Sequence, residues 1–251
     1  MCTVVFIPKG DKIYFASLRD ENPLRPKAFV PNVYKENNVV ILSPIDALAG
    51  GTWLGTTSSG SVIILLNGGV KKHERKTNYR KSRGIIVAEL LASISPVLNW
   101  DLMDMQGIEP YTLVVWSEGN LFQLVWDGNN KYGAILKANQ PYIWSSATLY
   151  DSDAKAYREQ LFQQWLEMNR PVSSMSLFDF FKSSADSKNG FLINRNEQMK
   201  TLSYTFIELR IDSSSAIEYH DLTGNTTHNK KIWFNNSTKK LLPSVAVLQK
   251  S

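Results

Sequence analysis

The sequence predicts an α+β domain in which helices cover β-sheets, and two observations carry this prediction. Short apolar and β-branched runs separated by turn residues occur in both the first and the last third of the chain, as in antiparallel strands. Between them, residues 85–94 and 153–168 carry apolar residues at helical spacings. Strands that are followed by helices and then by further strands are typical of a layered α+β fold.

The composition fits one globular domain over residues 1–251. Hydrophobic residues make up 43% of the chain and charged residues 20%, which suits a sizeable core and argues against wholesale disorder. No apolar run approaches the ~18 residues of a membrane span. The start Met1-Cys2-Thr3-Val4-Val5 lacks the features of a secretory signal. We therefore expect a cytoplasmic protein without an integral membrane segment.

Residue types that hold metals and cofactors are scarce. The single cysteine, Cys2, excludes an internal disulfide and any Cys-rich zinc or iron–sulfur site. The three histidines, His73, His220 and His228, are scattered, and the chain has neither a phosphate-binding loop of the Walker type nor a Gly-x-Gly-x-x-Gly motif. We therefore expect neither a metal nor a cofactor.

Turn residues place two hairpins in the first third of the chain. Residues 3–7 and 13–16 flank a turn at Gly10 and Asp11, and residues 53–57 and 62–66 flank a turn near Ser59 and Gly60. The stretch 22–38, which is rich in Pro and Asn, is predicted to be a loop. Further strands are predicted at 111–116, 120–126, 142–145, 204–210, 216–220 and 231–234.

One long helix is predicted to begin at Asp153. Its apolar positions Tyr157, Leu161, Trp165 and Met168 follow each other at spacings of four and three. That pattern predicts one apolar face that packs against a sheet.

The first hairpin places the lone cysteine opposite an arginine. With the turn centred between Gly10 and Asp11, the numbers of antiparallel partners sum to 21, so Cys2 pairs with Arg19. Directly opposed side chains share a sheet face, with Cβ atoms roughly 5 Å apart. Asp20 is next along the strand. A slip by one residue would break this pairing.

This pairing suits nucleophilic chemistry if Met1 is removed. Cys2 then carries both a thiol and a free α-amine, whose ordinary pKa is about 8. The amine can take the thiol proton and later deliver it to a leaving amine, so nucleophile and base belong to one residue. Arg19 can favour the thiolate, and Asp20 can hold the amino group. The alternative is that Cys2 is a small buried residue of an edge strand and Arg19–Asp20 is a surface ion pair.

A series of short motifs occurs in order along the first third of the chain. They are Met1-Cys2-Thr3-Val4-Val5, Ser17-Leu18-Arg19-Asp20-Glu21-Asn22-Pro23, Gly50-Gly51-Thr52-Trp53-Leu54-Gly55, Leu66-Asn67 and Ser82-Arg83-Gly84. Together they resemble the NRDE family, the family of transport and Golgi organisation protein 2. Its members share a Met-Cys start, an Asn-Arg-Asp-Glu motif and a Gly-Gly-Thr-Trp-Leu-Gly motif.

The NRDE family is in turn similar to the N-terminal nucleophile hydrolases, in particular to the branch of penicillin V and bile-salt acylases. The resemblance implies a four-layer αββα sandwich over residues 1–251. It also implies a hydrolase in which Cys2 attacks a non-peptide amide bond and forms a thioester. The ligand would be a small-molecule amide or another apolar compound.

The second hairpin supplies a candidate for the oxyanion hole. With its turn centred near Ser59 and Gly60, Asn67 falls opposite Thr52. The resemblance to the acylases implies that Asn67 helps to form the oxyanion hole, where an amide N–H stabilises the transition state by several kcal/mol. The alternative is that Asn67 caps the turn before Gly68. Thr52 and Trp53 are predicted to line the substrate pocket, although Trp53 also suits the core.

Three positions depart from the family pattern. Leu18 replaces the first Asn of the Asn-Arg-Asp-Glu motif, and Ser146 stands where relatives carry the second oxyanion-hole Asn. A serine hydroxyl donates one hydrogen bond with shorter reach. Lys200 stands near a position where relatives carry Arg. These departures suit the alternative function that the family resemblance also implies, a non-catalytic trafficking or binding protein that handles haem or lipid.

One segment is strongly basic. It contains Lys71, Lys72, Arg75, Lys76, Arg80, Lys81 and Arg83. Such a segment suits an anionic substrate, a membrane surface or a nucleic acid, and equally a solvated loop. No known nucleic-acid-binding module accompanies it, so we expect no nucleic-acid partner. Arg83 belongs to the family motif and is predicted either to face the substrate cleft or to position the following helix.

Overall fold

The computed structural model of the protein describes residues 3–183 and 189–234, which form fourteen strands and four helices. The strands are β1 (Thr3–Lys9), β2 (Lys12–Glu21), β3 (Phe29–Glu36), β4 (Val39–Ile45), β5 (Leu54–Thr57), β6 (Val62–Asn67), β7 (Tyr111–Ser117), β8 (Asn120–Trp126), β9 (Lys131–Leu136), β10 (Tyr142–Ser145), β11 (Asn194–Arg195), β12 (Met199–Arg210), β13 (Ser214–Asp221) and β14 (Thr226–Trp233). The helices are α1 (Arg83–Leu91), α2 (Pro96–Leu102), α3 (Ser152–Glu167) and α4 (Ser174–Ser183).

Two antiparallel sheets of seven strands each lie face to face. Sheet A has the order β10-β1-β2-β12-β13-β14, with β11 paired to β12, and sheet B runs in chain order from β3 to β9. Phe6 of β1 stacks on Trp116 of β7 with ring centroids 6.2 Å apart, so apolar side chains of both sheets fill the space between them.

Helices cover the outer faces of both sheets. On sheet A, Phe162 of α3 and Phe181 of α4 pack with Val5 of β1. On sheet B, the α2 residue Trp100 donates from Nε1 to the hydroxyl of Tyr111 at 3.0 Å. Every residue of β7 is buried, as expected for a strand covered on both faces. The predicted four-layer αββα sandwich is confirmed.

No helix within the described ranges is long and apolar enough to cross a membrane. The longest of them is α3, with 16 residues, and it carries both polar and apolar side chains. This fits its place as an outer layer of the sandwich.

The predicted loop at 22–38 is partly wrong, because Phe29–Glu36 forms strand β3. The prediction relied on the Pro and Asn content of this stretch, which includes Pro31. This proline lies where the register of β3 shifts between Phe29 and Asn32, and β3 is an edge strand of sheet B. Proline is tolerated at such edge and bulge positions, since its missing N–H leaves no ladder bond unmade.

The first predicted hairpin register is confirmed over the described pairs. Thr3 pairs with Leu18 and the ladder continues without a shift to Lys9 and Lys12, around a two-residue turn with Gly10 at φ +64°. Two-residue hairpin turns need such positive φ values.

The second predicted register is wrong by one residue. Leu54 pairs with Ile64, and the Thr57 N–H donates to Ser61 across a three-residue loop in which Gly60 has φ +83°. The Gly adopts the left-handed conformation that three-residue loops use. Strand β5 begins only at Leu54, so Asn67 has no partner at Thr52 and pairs on its other side with Tyr111 of β7.

The buried face of α3 is also rotated from the prediction. Its buried residues are Ala154, Arg158, Phe162 and Trp165, whereas Tyr157 and Met168 are 42% and 58% exposed. The prediction counted apolar residues only and therefore left out Arg158, which lies on the buried face.

Arg158 is instead fully buried and joins several elements. Its Nη1 donates to Thr3 Oγ1 at 2.8 Å and to Ser145 Oγ at 3.2 Å, and its Nε donates to the Asn189 carbonyl at 3.0 Å. The guanidinium lies 3.6 Å from the ring centroid of Tyr150. One side chain therefore fixes the start of β1, the end of β10 and the entry to α3.

A close backbone contact fixes the chain ahead of β5 against α1. A Cβ atom added to Gly51 would lie 2.3 Å from the carbonyl carbon of Gly84, nearer than real Cβ atoms approach. The neighbouring Thr52 N–H donates to the Gly84 carbonyl at 3.0 Å. The second glycine of the Gly-Gly-Thr-Trp motif is thus required by contact with the first turn of α1.

We predict that Gly51→Ala lowers the free energy of unfolding by about 3 kcal/mol, because both partners of the clash are backbone. Gly10→Ala is the matched control: Gly10 has φ +64° but nothing within 4 Å of an added Cβ. Its expected loss is about 1 kcal/mol from the left-handed conformation alone. Urea denaturation measures both values, and equal losses would contradict the contact.

We predict that Arg158→Met lowers the free energy of unfolding by about 3–5 kcal/mol, because it removes the donors of a buried polar network. Arg170→Met, at an exposed position three residues after the same helix, is the control and should change stability by less than about 0.5 kcal/mol. A tolerated Arg158→Met, again measured by urea denaturation, would show that this network does not hold the strands.

Candidate active site

A cleft of about 800 Å³ opens where strand ends of both sheets meet the start of α1. Six of the residues predicted for the site line it: Arg19, Asp20, Thr52, Trp53, Asn67 and Arg83. Ser146 does not line it. The predicted nucleophile, Cys2, lies outside the described residues. The sequence thus identifies residues from separate strands that the fold brings to one cleft.

Arg19 is held between the two sheets. It lies near the end of β2 in sheet A and is 5% exposed. Its Nη2 donates to Asp46 Oδ2 at 2.9 Å, and Asp46 directly follows β4 of sheet B. The guanidinium carbon lies 4.6 Å from the ring centroid of Trp53, a cation–π contact. The charge of Arg19 therefore has a fixed place in the cleft wall.

Asp46 gathers several donors besides Arg19. Arg25 donates to both carboxylate oxygens, at 2.8 Å from Nε and 2.9 Å from Nη2. The backbone N–H groups of Leu48 and Ala49 donate to Oδ1 at 3.1 and 2.9 Å. The sequence analysis missed Asp46, although an acidic residue shortly before Gly50 and Gly51 suggests such a turn.

The donors keep Asp46 ionised. Burial raises the pKa of Asp46, but the hydrogen bonds from Arg25 and Ala49 and the charges of Arg25 and Arg19 outweigh burial and hold this pKa below its ordinary value. Because the folded-state pKa is lowered, the stability that Asp46 contributes is present at neutral pH and is lost as the pH falls through that lowered value.

Asp20 points to the other face of β2 and is 2% exposed. Its Oδ1 accepts from Thr201 Oγ1 at 2.6 Å, and its Oδ2 accepts from the Tyr150 hydroxyl at 3.0 Å. The alternative of a surface Arg19–Asp20 ion pair is therefore wrong, because both residues are buried and Arg19 pairs with Asp46. Sequence reasoning also missed Tyr150, the ring on which Arg158 stacks.

Ser146 supports Asn67 from behind the cleft. It is 1% exposed, and its hydroxyl donates to the Asn67 carbonyl at 2.8 Å. Its oxygen also lies 2.8 Å from Thr148 Oγ1 and accepts from the Thr148 N–H at 3.3 Å. Since a hydroxyl has one hydrogen to donate, this bond fixes the backbone at Asn67 and uses that hydrogen.

Arg83 both lines the cleft and begins α1. Its Nη1 donates to the Pro110 carbonyl at 3.2 Å, and its Nη2 lies 3.1 Å from Glu109 Oε2. Burial lowers the pKa of Arg83 from its ordinary value; Glu109 opposes this change, and the charge of Arg75 adds to it. Arg83 therefore takes both of the predicted placements, since it lines the cleft and begins the helix.

Part of the basic segment reaches the cleft. Arg75, Lys76 and Lys81 line it, whereas Lys71 and Lys72 are exposed and do not. Arg75 and Lys76 are exposed as well, so the solvated-loop interpretation fits residues 71–80, and two cations of this loop also line the cleft.

The fold is shared with solved structures of several hydrolases. The chain is similar to a mutant of the conjugated bile acid hydrolase from Clostridium perfringens, with a TM-score of 0.59 at 9% identity over 94% of this chain and 97% of that one. It is similar to the Caenorhabditis elegans N-acylethanolamine-hydrolyzing acid amidase ortholog, with a TM-score of 0.55 at 12% identity over 82% and 92%. For Penicillin V acylase from Agrobacterium tumefaciens the TM-score is 0.51, at 10% identity over 92% and 90%.

These identities are low, so the three structures establish the fold, that of the N-terminal nucleophile hydrolases. No curated protein sequence matches the chain. The family model described as Transport and Golgi organisation 2 matches residues 1–233. That match spans nearly the whole sequence, and the chain belongs to the Transport and Golgi organisation 2 family.

Proposed function

We propose that the protein is an N-terminal nucleophile hydrolase that cleaves a non-peptide amide bond in the cleft, with Cys2 as the nucleophile. One observation carries the proposal: Thr3 pairs with Leu18, so the next pair of the same ladder would join Cys2 to Arg19, which lines the cleft. The named activities of the structural neighbours, a bile acid hydrolase, an acylase and an amidase, support an amide as the substrate.

The reaction follows from the groups of Cys2 once Met1 is removed. The α-amine accepts the thiol proton while Sγ forms a bond to the amide carbonyl carbon, whose oxygen takes up the negative charge. The C–N bond then breaks, and the amine delivers the proton to the leaving nitrogen. The resulting thioester is hydrolysed by water, which releases the acid and restores the thiol.

The cleft residues take distinct roles in this proposal. Arg19, fixed by Asp46, favours the thiolate, and Asp20 holds the α-amine. The side-chain amide of Asn67 donates to the oxyanion. Because Ser146 donates its one hydroxyl hydrogen to the Asn67 carbonyl, we assign it as a positioning residue instead of a second oxyanion donor.

The remaining predicted residues shape the pocket. Trp53 and Thr52 line the cleft with Arg19, and Arg83 lines it at the start of α1. The proposed location is the cytoplasm, where a thiol nucleophile stays reduced.

A second candidate function is favoured by the family. Its description names transport and Golgi organisation and no reaction. The same cleft would then hold an apolar ligand such as a lipid or haem without hydrolysis. Haem titration and lipid co-purification test this function, and a Cys2→Ala variant that keeps the full biological activity of the protein would favour it over catalysis.

We predict that the wild-type protein hydrolyses decanoyl p-nitroanilide and releases p-nitroaniline. A decanoyl thioester should form on Cys2 during the reaction and be detected after acid quenching as the added mass of the acyl group. Cys2→Ala should abolish both signals. A variant with two residues added before Cys2 keeps the thiol but blocks its α-amine, so the rate should fall about 100-fold or more. An extended variant that reacts at the wild-type rate would rule out the amine as the base.

A further inference from the structure

The cleft carries an excess of positive charge. Among the described residues that line it, six are Arg or Lys and four are Asp or Glu. Most of these cations have an acidic partner: Arg19 and Arg25 share Asp46, Arg83 contacts Glu109, and Lys81 contacts Glu89. The cations left over are Arg75 and Lys76.

Arg75 and Lys76 form no ion pair with any residue that the structure describes, although both line the cleft. The backbone at this point is held, since the Lys76 N–H donates to the Tyr79 hydroxyl at 3.0 Å. Arg75 lies near enough to Arg83 for its charge to act on that guanidinium. Like charges that converge on a concave surface focus a positive potential there.

The cations that follow Lys76 in the basic segment do have acidic partners. Arg80 is tied back to Asp104, with Nη2 3.1 Å from the carboxylate, and to the Gln106 carbonyl. Lys81 lies 2.5 Å from Glu89. From Arg75 to Arg83, the cations without an acidic partner among the described residues are therefore Arg75 and Lys76, which line the cleft.

We propose that the cleft selects an amide substrate that carries an oxyanionic group, such as a carboxylate, and that Arg75 and Lys76 recognise this group. The fork of an arginine matches the two oxygens of such a group, and a lysine adds a mobile point charge. Arg83 is held by Glu109 and adds to the positive field. This inference rests on the proposed function in one respect, namely that the bound molecule is an amide that the protein cleaves. Recognition of the anionic group does not depend on the cleavage step.

Binding to the Cys2→Ala protein tests recognition without catalysis. The probes are N-decanoylglycine, which carries a carboxylate, and N-decanoylglycinamide, its neutral counterpart, measured by titration calorimetry at low salt. We expect the anionic probe to bind about 10-fold more tightly, a preference that shrinks at high ionic strength because the recognising cations are exposed.

Two matched charge-reversal variants show which residues cause the preference for the anionic probe. Arg75→Glu with Lys76→Glu should abolish it, whereas Lys71→Glu with Lys72→Glu changes the net charge equally in the same segment and should leave it intact. All four residues are exposed, so both variants should unfold at the wild-type temperature. Equal binding of the two probes, no binding of the anionic probe up to about 1 mM, or a preference that survives the Arg75 and Lys76 reversals would overturn the proposal.

The same probes distinguish a failure of the proposed hydrolase function from a failure of anion recognition. If the anionic probe binds with the expected preference but wild-type protein does not hydrolyse it, anion recognition stands and hydrolysis does not. If the wild-type protein hydrolyses both probes equally well and binds them equally, hydrolysis stands and anion recognition does not.

Discussion

The ion pair between Arg19 and Asp46 joins the two sheets at the cleft, and the geometry of the candidate site depends on it. Both side chains are largely buried, at 7% and 12% exposure. Removing two charges from water is costly, and the pair is tolerable because Arg25 and two backbone N–H groups satisfy the rest of the carboxylate. A fold under selection for stability alone has no need of such a contact, so we attribute it to the placing of a charge in the cleft.

A second buried arginine acts on the opposite face of sheet A. Arg158 fixes Thr3 and Ser145 from the helical layer, and it stacks on Tyr150, whose hydroxyl donates to Asp20. Sheet A thus carries a fixed guanidinium group on each face near Thr3, because Arg158 contacts Thr3 and Arg19 directly follows Leu18, the partner of Thr3. Rigid support of this kind suits a reactive group that must be held to within a fraction of an ångström.

Local rules predicted the parts of the fold that depend on local chemistry. The first hairpin register followed from a two-residue turn with a positive φ at Gly10, and the β1–β2 ladder obeys it. The second register failed by one residue, because a single Gly60 does not distinguish a two-residue from a three-residue loop. That error placed Asn67 opposite Thr52; the two residues are not paired in the structure, yet both line the cleft.

The residues that sequence reasoning missed are those whose partners are distant in the chain. Asp46 becomes significant only when β4 brings it to Arg19, and Arg158 only when α3 lies against β1 and β10. Both are charged residues that a periodicity argument places on the surface, and tertiary pairing overrides that expectation. The family motifs located the cleft without these partners, since the motif residues lie at strand ends.

The account rests on an N-terminal thiol with a free α-amine, and the N-terminus of the mature protein tests this most directly. N-terminal sequencing and intact mass of protein purified from its source organism should show a chain that begins at Cys2 with an unmodified amine. A mature chain that retains Met1, carries further residues before Cys2 or is acylated on the Cys2 nitrogen would contradict it.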